Sequence, residues 1–275
     1  MDKVPDKRSA LASPYVVWAV GFTVIPLLVI IKYAVSDGNN AFTLSNILAI
    51  FEPVNLKALV FSLEIALGCT IVCVLLAYPL VLAISRLKFA RSGFMFVILI
   101  LPMWMNFILK LLAWQMILSS NGILNMMIRA CGIAGFDISN TPLSIMIGVI
   151  YEYFPYMVLP VYDAVMSIDE DVIEAARDLG AKKGTVFWKI IFPLSVPGLM
   201  SGITMVFVPS MTSFVTADIL GGGKLQLVGN IIEQEFIHSM NWNLGAGLSV
   251  ALMIFILISM TFTVKKDERE EEEAW

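Results

Sequence analysis

The chain has 275 residues, 59% of them hydrophobic and 15% charged. With Gly counted and Tyr left out, the apolar share is about 63%, against roughly 45–50% in soluble globular proteins. A soluble domain of that composition would present one adhesive surface. A soluble enzyme, a disordered chain and a secreted disulfide scaffold are therefore excluded, and an all-α polytopic membrane protein remains. Glu270 to Glu273 alone account for the net charge of −4, so the overall balance says nothing about nucleic acid, and the apolar surface is left to face membrane lipid.

A membrane helix needs about 20 mostly apolar residues to cross about 30 Å of hydrocarbon. Six stretches qualify, near residues 14–35, 57–84, 94–118, 142–166, 196–219 and 243–264. The first follows a tail over residues 1–13. It is too long for a cleavable signal and lacks a small-residue cleavage site, so it is expected to stay as an anchor. In the second, Cys69 and Cys73 stand one turn apart, and neither Cys131 nor His238 lies near them in sequence. They read as packing residues rather than half of a metal site. Pro155, Pro160 and Pro209 predict kinked or broken spans, which transporters use where backbone lines a cavity. Lys265 to Trp275 reads as a solvated, disordered tail.

Lys and Arg set the orientation. Lys3, Lys7 and Arg8 precede the first span, and Arg86, Lys88 and Arg91 follow the second. Arg177, Lys182, Lys183 and Lys189 follow the fourth, and Lys265, Lys266 and Arg269 follow the sixth. Only Lys57, Arg129 and Lys224 fall on the other side. Thirteen against three predicts cytoplasmic termini, as an even number of spans also does.

The connection between spans four and five, residues 167–198, is the long cytoplasmic one. Ser167 and Glu170 match a capping box, and Asp169, Glu170 and Asp171 suit a helix N-terminus. Val172, Ala175, Ala176 and Leu179 recur at i, i+3, i+4 and i+7, giving a short helix with a narrow face of small residues. Gly180 can end it in the left-handed conformation. Lys182 to Ile191 can form a second short helix, which Pro193 and Pro197 are expected to end. Periodicity alone leaves two readings open: a helix that docks into a partner's groove, or a hairpin lying on the bundle.

The spacing Glu174-Ala175-Ala176, three residues, Gly180, nine residues, Ile190, one residue, Phe192-Pro193 resembles the EAA loop of ABC-importer permeases. The family pattern has Leu where Phe192 stands. The resemblance covers nearly the whole chain, since six spans with this loop after the fourth is also the family plan. Ser213 to Gly223 and Tyr151 to Val165 look most like the permeases of spermidine/putrescine importers. The resemblance implies the type I importer permease fold and a single permease domain over residues 1–275. The tails, residues 1–13 and 265–275, would be cytoplasmic, in a bacterial inner membrane. It makes Glu174, Ala175, Ala176, Asp178, Leu179, Gly180, Ile190 and Pro193 the residues that couple to an ATPase. The partners it implies are a second, homologous permease, two ATPase subunits and an external substrate-binding protein.

No phosphate-binding loop is present, because Gly221-Gly222-Gly223-Lys224 is followed by Leu225. ATP and Mg are therefore expected on the partner ATPase, with no catalytic residue, metal or cofactor on this chain. The rivals are an intramembrane hydrolase, which lacks a catalytic constellation here, and an ion-driven carrier, which needs no docking helix. A third is an importer of the same class with another cargo.

Ionisable groups at membrane depth are candidates for function. Glu64, Glu152 and Asp218 fall in the outer halves of their spans, and Lys110 is the single base among them. Lys110 can pair with Glu64 or Glu152 and stitch helices together. The remaining acid surplus favours a cationic cargo over an anionic one. Glu152, Tyr156 and Asp163 share one helical stripe, and carboxylates and ring faces both bind protonated amines. Trp104, Ser210 and Phe214 complete the expected cargo path. The alternatives are interface aromatics and small hydroxyl residues at helix contacts.

Overall fold

The computed structural model describes residues 14–39, 41–87, 93–132 and 137–272. The tail over residues 1–13, the connection over residues 88–92 and residues 273–275 lie outside the described residues. Among the described residues, six helical segments are long and apolar enough to cross a membrane. The chain divides into two compact units, one of residues 1–56 with 231–256 and the other of residues 57–230 with 257–275.

In the first unit, α1 (Pro14–Ala34) and the N-terminal part of α11 (Trp242–Glu272) meet around Ala34, Ala246 and Val250. A short helical turn, Ser45–Leu48, crosses α11 so closely that a Cβ on Gly247 would meet the backbone of Asn46. The Asn46 amide in turn donates to the Ser36 carbonyl at 2.9 Å, and the Asn243 amide donates to the same oxygen at 2.7 Å. Glycine is required at 247 because backbone, which cannot move aside, occupies the Cβ position. The α11 helix runs on to Glu272. The expected tail from Lys265 is therefore helical over most of its length, because Lys265 to Glu272 is rich in good helix formers with no Gly or Pro to stop it.

The second unit is built on α2 (Pro53–Ile84) and α6 (Pro142–Met166). Ile65, Cys69, Cys73, Ala77 and Val81 repeat every fourth residue on α2 and are nearly or fully buried. They pack with Ile145, Val149, Val158 and Val161 of α6. The cysteine sulfurs, 3.9 Å apart, belong to this packed stripe. Between two membrane spans such a stripe is held by close van der Waals packing rather than by withdrawal from water, since lipid is as apolar as the core. Two close approaches tie α6 to α8 (Phe192–Met211). A Cβ on Gly198 would lie 2.5 Å from the Pro160 carbonyl, and one on Gly202 would lie 2.8 Å from the Met157 sulfur.

Three expected boundaries differ. First, the fifth span does not start at residue 196. Helix begins at Lys183–Val186, widens through a π-turn at Phe187–Ile191, and continues into α8 past Pro193 and Pro197. The same device stands in α1, where a π-turn at Val20–Val24 precedes Pro26. A proline clashes with the carbonyl four residues back and lacks an N–H. Opening the turn by one residue, with Phe192 N–H on the Phe187 carbonyl, takes up that mismatch and keeps the helix going. Second, the fifth span ends early. Thr212 and Ser213 interrupt it before α9 (Phe214–Gly221). Third, the stretch 94–118 is not one helix. It consists of α3 (Gly93–Ile100), a 3₁₀ turn at Leu101–Trp104, an extended Met105, and α4 (Phe107–Leu118). Asn106 starts α4 by accepting from Leu109 N–H at 3.1 Å. A further helix, α5 (Ile123–Ala130), follows, and Phe107–Ala130 is the segment with span length and composition. Pro155 and Pro160 leave α6 continuous.

Candidate functional site

The loop after α6 carries α7 (Glu170–Asp178). Its N-cap is Asp169, whose carboxylate accepts from Asp171 N–H at 3.1 Å. The expected box from Ser167 does not form, because the Ser167 hydroxyl donates to Ala164 at the end of α6. Asp169 takes over for a simple reason: Ile168 is buried, which fixes the chain entry one residue later. At the other end Gly180 sits at φ +83°. Its N–H donates to the Arg177 carbonyl at 2.8 Å, and Ala181 N–H donates to the Ala176 carbonyl at 3.0 Å. Those two bonds are the Schellman pattern, so the glycine stop read from sequence is present with its full hydrogen bonding.

Within this chain α7 leaves its small-residue face open. Val172 and Ala175 are exposed, Leu179 is 90% exposed, and only Ala176 is half-buried. Glu174 and Asp178 are exposed on the same helix. Behind α7 lies a cavity of about 670 Å³ lined by α7 itself, the ends of α2 and α6, and the short helix and π-turn before α8, with Arg86, Glu174, Arg177 and Lys183 among its residues. Ile190, on the π-turn, is half-buried, while Pro193 is exposed at the start of α8. Leu179 is thus the most exposed apolar side chain of this helix.

The second feature lies where the two interrupted spans meet α6. Glu152 is half-buried and accepts from the Thr216 hydroxyl at 3.5 Å. Thr216 also meets the Ser213 hydroxyl at 2.9 Å, and Tyr153 hydrogen-bonds Ser213. Thr216 is in the first turn of α9, directly after the break at residues 212–213. The break therefore places a helix N-terminus, with its partial positive charge, on the Glu152 carboxylate. On α4 the Trp114 ring meets Tyr151 edge-on at 5.4 Å, which fixes the register of α4 against α6. The charge of half-buried Lys110, one turn from Trp114, acts on Glu152.

The other expected path residues are placed as follows. Tyr156 and Asp163 lie exposed on the Glu152 stripe, and the Tyr153 and Tyr156 rings are 6.1 Å apart. Asp218 is exposed and accepts from the Asn230 amide at 2.7 Å. It stands two residues past Thr216, about 200° round the helix, so it faces away from Glu152. Glu64 lies on an exposed stripe of α2 with Val60, Leu67, Ile71 and Leu75. A Cβ at Gly68 would abut Met146, and Tyr78 bonds Ser195 near the far end of α6, so α2 and α6 run the same way. Glu64 and Glu152 are then about 10–15 Å apart along the helices. Of the two acids offered to Lys110, Glu152 is the one on which its charge acts, and the two form no ion pair in this structure. Trp104 is 86% exposed at the 3₁₀ turn, and Phe214 is half-buried at the start of α9. Ser210 is fully buried and its hydroxyl returns to the Val206 and Phe207 carbonyls, which leaves it facing its own helix rather than an open path. Thr216, Ser213 and Asn230 escaped the sequence reading as acid partners. The only available signal was the density of hydroxyls between Ser210 and Thr216.

Six apolar spans, with two helix breaks near a half-buried acid, are the architecture of a membrane transport permease. The chain belongs to the family of binding-protein-dependent transport system inner membrane components, whose profile matches residues 76–266, and it is a multi-pass ABC-importer permease. It is 34% identical to the spermidine/putrescine transport system permease protein PotB of Haemophilus influenzae, over 88% of this chain and 87% of that one. Its identity to the PotB of Escherichia coli strain K12 is also 34%, over 86% and 89% of the two chains. Among solved structures, it superposes with a TM-score of 0.76 on a chain of a bacterial alginate ABC transporter in complex with an alginate pentasaccharide-bound periplasmic protein. That match is 15% identical and covers 95% of this chain and 93% of the other, so it supports the fold.

Proposed function

We propose that this permease forms half of the path of a polyamine importer, moving spermidine- or putrescine-like cations inward. It does so with a second, homologous permease, two copies of an ATPase that holds ATP and Mg, and an external binding protein. In this reading both termini are cytoplasmic. The open face of α7, from Glu174 to Gly180 with Ile190 and Pro193 behind it, seats in the ATPase. Closure of the ATPase dimer on ATP moves α7, α7 moves the ends of α6 and α8, and the spans rock outward to receive cargo. Hydrolysis returns them inward.

The observation that carries the cargo assignment is Glu152, a half-buried acid held at a helix break by a hydroxyl and a helix N-terminus. The relatives named for spermidine and putrescine support it. An anionic cargo would meet a carboxylate there with only one lysine to offset it. Tyr156, on the same stripe, offers a ring face to an ammonium. The test is uptake of radiolabelled spermidine, putrescine and sulfate by cells carrying the complete system. Polyamine uptake that falls on Glu152→Gln, with membrane levels unchanged, is expected. Uptake of sulfate and of no polyamine would overturn the assignment.

A further inference from the structure

The half-helix α9 is eight residues long, too short to hold its own place, and its N-cap, Ser213, gives it no side-chain cap bond. Other elements fix it. At its C-terminal end the Ile219 carbonyl accepts from the Gln115 amide of α4 at 2.9 Å. The Leu220 carbonyl accepts from Asn140 N–H at 3.1 Å and from the Ser144 hydroxyl of α6 at 2.8 Å. On one flank Thr216 and Leu220 press on α6, where a Cβ on Gly148 would meet the Leu220 side chain and lie 3.0 Å from the Thr216 methyl. Gly148 is one turn before Glu152, so this is the flank that carries Thr216 to the acid. On the opposite flank stands Asn230, in the first turn of α10 (Val228–Ile237) and only 4% exposed. Its amide donates to the Phe214 carbonyl at 3.1 Å and to the Asp218 carboxylate at 2.7 Å, bridging one turn of α9. Its oxygen accepts from Leu227 N–H at 2.9 Å, and the next N–H, that of Val228, donates to the fully buried Ser62 hydroxyl of α2 at 2.8 Å.

We propose that Asn230 is a positioning residue for the cargo acid: it clamps α9 from the side away from α6 and so keeps Thr216 on Glu152. This rests on the polyamine reading, in which Glu152 meets the cargo. Phe214 and Asp218 each stand about 160° round the helix from Thr216, so a bond to both holds the back of α9 while its front faces the acid. The Thr216–Glu152 contact has little to spare, because at 3.5 Å a further retreat of α9 by a few tenths of an ångström breaks it. Asparagine suits the place. Its planar amide offers two donors and an acceptor, so one buried side chain fixes both α9 and the loop before α10. It is also neutral. A lysine or arginine holding Asp218 would fix α9 equally well, but would add a cation near a site that takes cations.

The experiment is equilibrium binding of tritiated spermidine to the assembled permease–ATPase complex in nanodiscs, with melting temperature measured on the same samples. The external binding protein is left out so that its affinity does not set the curve. Asn230→Ala is expected to weaken binding roughly threefold to tenfold, the scale of one hydrogen bond. On a Glu152→Gln background it is expected to change binding little, since the acid it positions is gone. Gly198→Ala crowds α6 at Pro160 and Ala164 and touches nothing of α9, so it serves as the stability control, with a lower melting temperature and unchanged affinity. Asn230→Ala that melts lower but binds spermidine normally overturns the proposal. So does an equal loss of affinity on the Glu152→Gln background, or an equal loss in Gly198→Ala. If Asn230→Ala does not assemble, Ser62→Ala decides: it cuts the same chain of bonds one step earlier and is expected to weaken binding about twofold, again only where Glu152 is present. Normal binding by Ser62→Ala in that case overturns the proposal. Wild-type spermidine uptake in the complete system reports the cargo reading separately. A wild type that takes up spermidine while Asn230→Ala binds it normally removes the positioning role alone, and a wild type that neither binds nor takes up spermidine overturns both.

Discussion

Gly180 offers the sharpest test of the coupling loop. It stands at φ +83° with nothing within 4 Å of where a Cβ would be, so any penalty for a side chain is conformational rather than steric. An L-residue in the left-handed region costs about 1–2 kcal/mol, with Asn least affected and β-branched residues most. At about 1.4 kcal/mol per factor of ten, that shifts the balance between formed and opened cap roughly 5- to 30-fold. A nine-residue helix has little else to hold its end, because Gly180 N–H and Ala181 N–H satisfy its last carbonyls. The expected order of cargo-stimulated ATPase activity is wild type, Gly180→Asn, Gly180→Ala, Gly180→Val, with the valine variant several-fold or more below wild type. Membrane levels should match throughout, since the site is exposed and away from the core. Stimulated ATPase in Gly180→Val equal to wild type would refute the claim that α7 must keep this shape to transmit movement.

Three further outcomes are expected. With Cys131 replaced, a single cysteine at Lys183 should label only from the cytoplasm and one at Gly222 only from outside; the buried Cys69 and Cys73 should not interfere, and the reverse pattern would overturn the orientation. Gly198→Ala should lower the melting temperature of the detergent-purified protein. Its Cβ would crowd the Ala164 side chain and the Pro160 carbonyl at 2.5 Å, an overpacking cost of about 1–3 kcal/mol. Tyr78→Phe removes a 2.9 Å hydrogen bond to Ser195 but should cost only about 1 kcal/mol by the same measurement, because the Ser195 hydroxyl keeps the Phe192 carbonyl.

The sequence showed the spans wherever hydrophobic length alone decides them. Residues 142–166 were delimited to the residue because Thr141 and Pro142 mark one end and Ser167 the other. It misjudged the helices where a local signal competes with hydrophobicity. Asn106 is an N-cap inside an apolar run, and a hydropathy window averages it away. Pro193 reads as a stop until the preceding turn is allowed to widen, which no residue pattern announces. The α7 terminator was legible because only one glycine lies at the right offset, whereas its N-cap was not: Ser167 and Asp169 are both competent, and the burial of Ile168 chose between them. For the acids, counting charges gave an inventory but no geometry. Pairing depends on helix register, and that is set by contacts such as Trp114 on Tyr151 and Gly68 on Met146.

The two breaks and the acid belong to one physical problem. A continuous helix hides its backbone dipoles, and a carboxylate packed against its flank gains nothing from them. Interrupting the fifth span at Thr212 and Ser213 frees a helix N-terminus and a pair of hydroxyls at the depth of Glu152. Interrupting the third at Met105 and Asn106 gives Lys110 a short helix of its own, α4, separate from α3. Continuous α6, despite two prolines, is the fixed member against which both half-helices are held. Such an arrangement can stabilise a charged group in either of two environments, because the groups that satisfy it sit on elements with ends rather than on through-going rods. Unlike a flank-packed ion pair, it lets the acid's surroundings change without unwinding a span.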